Sequence, residues 1–178
     1  MKKSMLIAAL ATTALTAPAF ADEVTLQLKW VTQAQFAGYY VALENGYYED
    51  AGLDVTVLPG GPDIAPTQVI AGGGADVIVE WMPAALAARE NGLPLVNIAQ
   101  PFKSSGMMLT CWGDVGIEGP ETLANRTLGV WFFGNEYPFL SWMSHLGMGT
   151  DGKGENSVEV LKQGFNVDPL LQRQADCI

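Results

Sequence analysis

Basic residues and histidine are scarce in this chain. Nine lysine and arginine residues stand against 19 aspartate and glutamate residues, so the formal net charge is −10. The basic residues form no patch, which makes nucleic acid and anionic lipid poor partners. The one histidine, His145, belongs to no serine–histidine–acid constellation. The composition therefore argues against nucleic-acid binding and against histidine-based catalysis.

Cysteine is nearly as rare, with Cys111 and Cys177 as the two examples. Their spacing to each other and to His145 matches no zinc pattern. Two cysteines are too few for a disulfide framework, although they could pair in an oxidising compartment. We expect structural cysteines, whether paired or not, and neither a metal ion nor another cofactor.

Long apolar runs are absent after the first 21 residues. Residues 1–21 combine a positive start, a short apolar run and small residues, with Ala19 and Ala21 in A-x-A spacing. This pattern is typical of a cleaved secretory signal, and we predict cleavage after Ala21. Removal of Lys2 and Lys3 takes the formal charge from −10 to −12. We expect a soluble, exported mature chain.

Short apolar strands alternate with helical segments through the first part of the mature chain. The predicted strands are residues 24–30, 53–59, 75–80 and 93–100, and the predicted helices are residues 33–44, 66–73 and 82–92. This alternation predicts an α/β fold with a parallel sheet and crossover helices. Ligands of such sheets bind at the carboxyl ends of the strands. Three loops leave those ends, at residues 30–35, 59–63 and 80–83.

A second α/β unit is predicted from about residue 107. Its predicted strands are residues 107–112, 128–133, 158–162 and 175–178, and its predicted helices are residues 120–125, 135–147 and 168–174. The chain stops where the last of these strands begins. We therefore expect this sequence to be a fragment of a longer protein; a small complete domain with a frayed terminus is the alternative.

Five segments, in order, carry a resemblance to a known family. They read LKWVTQAQFAGYYVALENGYYEDAGLDV, PGG, QVIAGGGADVIV, LAARENGLPLVNIAQ and GIEGPETLANRTLGV. Together they resemble the periplasmic solute-binding proteins of ATP-driven (ABC) importers. More narrowly, they are similar to the branch that binds thiamine pyrimidine precursors and is related to a eukaryotic pyrimidine synthase.

The resemblance implies a type II periplasmic-binding-protein fold with two lobes. Lobe 1 would be residues 22–107, and residues 108–178 would be the first part of lobe 2, which is incomplete. It also implies a periplasmic, monomeric receptor whose partners are a small aromatic nitrogen heterocycle, a membrane permease and the ATPase of that permease. Neither catalysis nor a cofactor is implied for this branch.

The candidate ligand-binding residues of lobe 1 come from loops at strand ends. Trp30 follows the first strand and could stack on a ligand or cover the core. Gln35 ends the same loop, and Tyr39 lies on the helix after it, where it could face the ligand or pack. Glu80 and Trp81 follow the third strand. Glu80 could accept hydrogen bonds from the ligand or serve as an exposed charge at the next helix start.

In lobe 2 the candidates are Asn135 and Glu136, which follow Gly134 at a strand-to-helix turn. Without a ligand role, Asn135 would be a helix N-cap and Glu136 a first-turn charge. The resemblance implies that a glutamate at this turn contacts the amino and ring nitrogens of a pyrimidine.

These residue types favour a neutral or cationic heterocycle. Carboxylates beside flat rings can accept N–H bonds and stack, whereas anions need cations or helix N-termini. Lys29 is the one cation near these loops, and we expect its side chain to point away from that of Trp30. The alternatives are another solute, such as riboflavin, a sulfonate or nitrate, or an enzyme related to the pyrimidine synthase.

Overall fold

The computed structural model describes residues 21–178, so the predicted signal segment, apart from Ala21, lies outside the described residues. The strands are β1 Asp22–Gln27, β2 Leu53–Leu58, β3 Val77–Ile78, β4 Thr127–Val130 and β5 Glu159–Lys162. The helices are α1 Ala37–Glu44, α2 Tyr47–Asp50, α3 Pro66–Ala71, α4 Met82–Glu90, α5 Glu136–His145 and α6 Asp168–Leu171. Short 3-10 turns occupy Ala34–Phe36 and Pro120–Thr122. Within residues 21–178, none of the helices has the length and apolar character needed to cross a bilayer.

The first sheet is parallel and has the order β2-β1-β3. Strand β1 is central, and its register with β2 runs from Asp22 opposite Leu53 to Gln27 opposite Leu58. Leu26 and Leu28 are buried beneath it and pack with Phe36 and Val55. The alternation of apolar and polar residues in β1 therefore sends one face into this core.

The second sheet pairs β4 with β5, also in parallel. Cys177 forms a parallel bridge with Leu128 of β4 and an antiparallel bridge with Cys111, to which it is joined by a disulfide. The segment around Cys177 thus lies on the other side of β4 from β5. A separate core, which includes Leu123, Met143 and Val158, fills the space beneath this sheet. The predicted α/β class with parallel sheets is confirmed.

In each sheet, an alanine and an aspartate precede the segment that pairs with the central strand on the side opposite the second strand. These residues are Ala75-Asp76 and Ala175-Asp176. The Oδ2 atom of Asp76 accepts a 2.8 Å hydrogen bond from the amide of Thr25, and the amide of Asp76 donates to the carbonyl of Thr25 at 2.9 Å. Asp176 makes the same two contacts with Thr127, both at 2.8 Å. The two sheets thus share a strand order and an aspartate that joins their central and third segments.

Three predicted strands differ in the structure. Residues 93–100 form no strand, because they pair with no neighbouring strand among the described residues, and Val96 and Ile98 are exposed. Predicted strands 107–112 and 175–178 are reduced to isolated bridges at Cys111 and Cys177. Apolar composition marked all three segments as strands, but a strand also requires a run of paired backbone groups.

Gly60 generates a prediction about the frame of the first sheet. A Cβ atom on Gly60 would lie 2.4 Å from the carbonyl oxygen of Leu28 and 2.5 Å from the backbone of Lys29 and Trp30. These backbone atoms cannot rotate away, so Gly60→Ala should lower the free energy of unfolding by about 1–3 kcal/mol, as overpacking does elsewhere. Urea unfolding measures the change.

Gly61→Ala is the matched control, because its Cβ would meet the Ile64 side chain at an ordinary distance of 3.8 Å. Equal stability of the two variants would show that the backbone of residues 28–30 is not held against Gly60.

Candidate functional site

The turn between β4 and α5 is the meeting point of the candidate residues. Phe133 has φ of 60° and Gly134 has φ of 100°, both in the left-handed region that a phenylalanine rarely occupies. Gly134 is buried, and a Cβ atom there would lie 2.7 Å from the Cβ of Ala84 in α4. The turn therefore packs directly against α4, the helix that follows β3. This contact brings loops from both sheets together.

A buried ion pair lies beneath this turn. Lys29 Nζ is 2.7 Å from Glu80 Oε1, and the two side chains are 8% and 4% exposed. Lys29 Nζ also donates a 2.7 Å hydrogen bond to the carbonyl oxygen of Phe133. Lys29 lies in the bend that follows β1, and these two contacts place its ammonium group at the junction of the two sheets.

Glu80 is a buried charge, and one of its two carboxylate oxygens already has partners. Its Oε1 atom accepts from Lys29 and, at 2.8 Å, from the amide of Trp81, which precedes α4. Burial raises the pKa of the Glu80 carboxyl above its ordinary value, and the Lys29 ammonium opposes that rise. The nearby charge of Glu136 raises the pKa further. Desolvation is the largest of these effects.

Trp81 and Asn135 join the two sheets directly. The indole Nε1–H of Trp81 donates to Oδ1 of Asn135 at 2.7 Å, and Nδ2 of Asn135 donates to the carbonyl of Phe132 at 2.9 Å. Asn135 occupies the N-cap position of α5, but its side chain makes no capping hydrogen bond to the first turn. Its amide group instead holds the indole ring of Trp81 in a fixed orientation.

Glu136 begins α5 and is half-buried. Its Oε2 atom accepts a 2.7 Å hydrogen bond from the amide of Gly134. Among the described residues, Oε1 has no hydrogen-bond partner. The turn thus holds the carboxylate by one oxygen and leaves the other available to a donor.

Trp30 contacts two aromatic rings of the second sheet. Its ring centroid lies 4.8 Å from that of Trp131, with 57° between the planes, and 6.0 Å from that of Phe165, with 27° between the planes. A cavity of about 220 Å³ borders this cluster. It is lined by Trp131–Phe133 and Lys162–Phe165, together with Pro62 and Asp63.

Trp131 and Phe165 are site residues that sequence reasoning missed. Trp131 comes directly after β4, and Phe165 lies three residues after β5. Both residues therefore lie at the carboxyl ends of parallel strands, where ligands of such sheets bind. Applying this criterion to β4 and β5 would have identified them from the sequence.

The structure brings five of the seven predicted residues to this junction: Trp30, Glu80, Trp81, Asn135 and Glu136. Tyr39 packs against the core of the first sheet, with its ring centroid 6.4 Å from that of Phe36. Burial raises the pKa of its phenol. Gln35 is exposed in the 3-10 turn before α1 and makes no side-chain hydrogen bond within residues 21–178.

A fold in which loops from two parallel sheets present rings and carboxylates to one cleft is the pattern of a small-molecule site. Residues 33–178 match the model of the family described as NMT1/THI5 like, and the chain belongs to that family. The predicted resemblance is thereby confirmed.

Two relatives carry names that bear on the ligand. The formylaminopyrimidine-binding protein of Halalkalibacterium halodurans is 26% identical over 158 residues, which cover 88% of this chain and 47% of the relative. A Haemophilus influenzae protein whose name places it in thiamine biosynthesis is 24% identical over 166 residues, or 92% of this chain and 52% of the relative. The chain thus spans about half the length of these curated relatives.

Two further similarities are more limited. A 4-amino-5-hydroxymethyl-2-methylpyrimidine phosphate synthase of Saccharomyces cerevisiae is 28% identical over 85 residues, which cover 46% of this chain and 25% of the synthase. A solved structure from Bordetella bronchiseptica RB50 superposes with a TM-score of 0.51 over 88% of this chain and 50% of its own, at 18% identity. This last match supports the fold alone.

The raised pKa of Glu80 generates a prediction about pH and stability. The folded chain retains the Glu80 proton at pH values where the unfolded chain, with an ordinary value of 4.5, has released it. The free energy of unfolding should therefore fall as the pH rises from 4.5 through the folded-state pKa of this group. Glu80→Gln cannot titrate, so its free energy of unfolding should change less over the same interval. Urea unfolding at a series of pH values measures both profiles.

Glu90→Gln, at the exposed end of α4, is the control and should keep the wild-type profile. A Glu80→Gln profile as steep as that of the wild type would show that another group causes the dependence.

Proposed function

We propose that this chain is the substrate-binding part of an ABC importer for a thiamine pyrimidine precursor, of the formylaminopyrimidine or hydroxymethylpyrimidine type. In this proposal the fold is the type II periplasmic-binding fold, with lobe 1 at residues 22–107 and the first part of lobe 2 at residues 108–178. A ligand that touches both lobes would favour their closed arrangement.

The observation that carries the proposal is the convergence of rings and carboxylates on one cleft from the two sheets. Trp30 supplies a flat face from the first sheet, and Glu136 supplies from the second a carboxylate oxygen that has no partner within residues 21–178. An aminopyrimidine matches both, because its ring can stack and its N–H groups can donate to the carboxylate. The name of the Halalkalibacterium relative supports the same ligand class.

The charges around the cleft support a heterocycle over an anion. Lys29 is already paired with Glu80, so its charge is compensated. Lys162 lies 5.4 Å from the ring centroid of Phe133, beside a cavity that Asp63 also lines. With Glu136 added, acidic side chains outnumber basic ones at the junction, three to two. A sulfonate or nitrate would have to approach against this excess of negative charge.

Export to the periplasm is part of the proposal. The segment that resembles a secretory signal supports it, and so does the disulfide between Cys111 and Cys177, because disulfides persist in oxidising compartments. In that location the partners would be a membrane permease and its ATPase, and the receptor would be a monomer.

The alternative is an enzyme related to the yeast synthases. Binding is favoured because the relatives that align with most of this chain are named for pyrimidine binding or thiamine biosynthesis, whereas the synthases align with fewer than half of its residues.

The test is calorimetric titration of the full-length protein with formylaminopyrimidine. Trp30→Ala removes a stacking face worth about 1–3 kcal/mol, and Glu136→Gln replaces a charged acceptor worth about 1.5–3 kcal/mol. Each change should raise the dissociation constant by about one to two orders of magnitude, since about 1.4 kcal/mol is a factor of ten.

Tyr47→Ala serves as the control, because Tyr47 is exposed on α2 and should leave the affinity unchanged. A small sulfonate is titrated in parallel as a representative anionic ligand. If the wild type ignores the pyrimidine while Glu136→Gln tightens sulfonate binding, the ligand is an anion and the heterocycle proposal is wrong.

A further inference from the structure

The ring of Phe165 lies beside that of Trp30, on the side of the second sheet. The two ring planes are 27° apart, close to a parallel stack, whereas Trp131 meets Trp30 at 57°. A planar ligand that stacks on Trp30 needs a near-parallel approach of the same kind. A planar ligand placed on that side of the indole would meet the ring of Phe165.

Phe165 is weakly held in this position. The residue is 63% exposed, although phenylalanine usually packs in a core. Among the described residues, neither Gly164 nor Phe165 makes a backbone hydrogen bond, and the next element, α6, begins at Asp168. The stack on Trp30 and the nearby ring of Trp131, at 6.5 Å, are the ring contacts that retain it.

The neighbouring cavity is smaller than a typical small-molecule pocket while Phe165 occupies this position. Its volume is about 220 Å³, and Phe165 forms part of its wall. Pockets that bind small molecules usually measure about 300–1,000 Å³. Withdrawal of the phenylalanine ring would both enlarge the cavity and expose the face of Trp30.

We propose that Phe165 is an internal substitute for the ligand ring: it stacks on Trp30 in the empty protein and is displaced when a planar heterocycle binds. Phe165 then sets the affinity by competition, because a site that is occupied by its own side chain binds ligand more weakly by the occupied fraction. This inference rests on the proposed function, since it assigns Trp30 to ligand stacking.

The test compares two substitutions of opposite sign by titration with formylaminopyrimidine. Phe165→Ala removes the competitor and should lower the dissociation constant about 2- to 10-fold, which corresponds to the usual energy of one aromatic pair. Phe165→Trp supplies a larger competing ring and should raise the dissociation constant. The midpoint of thermal unfolding, measured in parallel, should stay close to that of the wild type, because the side chain is mostly exposed.

Phe102→Ala is the matched control. It removes the same ring from another half-exposed position in an irregular segment, and it should leave the affinity unchanged. If Phe165→Ala weakens binding, the ring is a ligand contact, and if it changes nothing, the ring is packing alone. Either result overturns the proposal.

Riboflavin separates this inference from the proposed function. If no variant binds the pyrimidine, the proposed ligand is wrong, and the same titrations are made with riboflavin as a flat ring of another class. Tighter riboflavin binding by Phe165→Ala would then support the displacement of Phe165, and unchanged binding would overturn it. Failure of every variant to bind either ring overturns both proposals.

Discussion

The buried contact of Lys29 with Glu80 and with the carbonyl of Phe133 is the interaction on which the junction of the two sheets depends. It joins three chain segments that follow β1, β3 and β4. A buried ion pair adds little to stability compared with apolar packing, but removal of one partner leaves an uncompensated charge and costs about 3–5 kcal/mol. The pair therefore constrains the geometry of the junction, because movement of either side chain would leave the other as a buried charge without a partner.

The turn at Phe133 and Gly134 shows what this constraint achieves. A phenylalanine with φ of 60° is strained, and such strain persists only where the surroundings hold it. Here the Lys29 ammonium holds the Phe133 carbonyl, and Ala84 lies directly against Gly134. The same turn also positions Asn135 and Glu136. The residues of the second sheet that are proposed to meet the ligand are therefore held by contacts to the first sheet.

Several groups of the proposed site are partnered within the protein. Trp81 donates to Asn135, and Trp30 stacks on Phe165. A ligand gains affinity only from what its contacts add beyond those they replace. Within residues 21–178, Oε1 of Glu136 has no partner, so in the proposal a ligand N–H can use it without breaking a protein contact.

Local sequence was sufficient for much of the fold. Alternating apolar residues placed β1 and β2, Asn45-Gly46 ended α1, and Pro66 and Pro83 marked the first turns of α3 and α4, because backbone preferences of this kind act over a few residues. The same reasoning was wrong for residues 93–100. Their composition suits a strand, but no strand of the described residues pairs with them.

For the site, the sequence by itself determined which loops carry the candidate residues, since the carboxyl ends of parallel strands follow from the order of strands and helices. Only the tertiary structure decided which side chains meet. Lys29 and Glu80 are 51 positions apart, and Trp30 and Phe165 are 135 apart, so no local pattern could reveal that one pair neutralises its charges and the other stacks. Side-chain partners across two sheets depend on the packing of both sheets at once, and that information is not contained in any single segment.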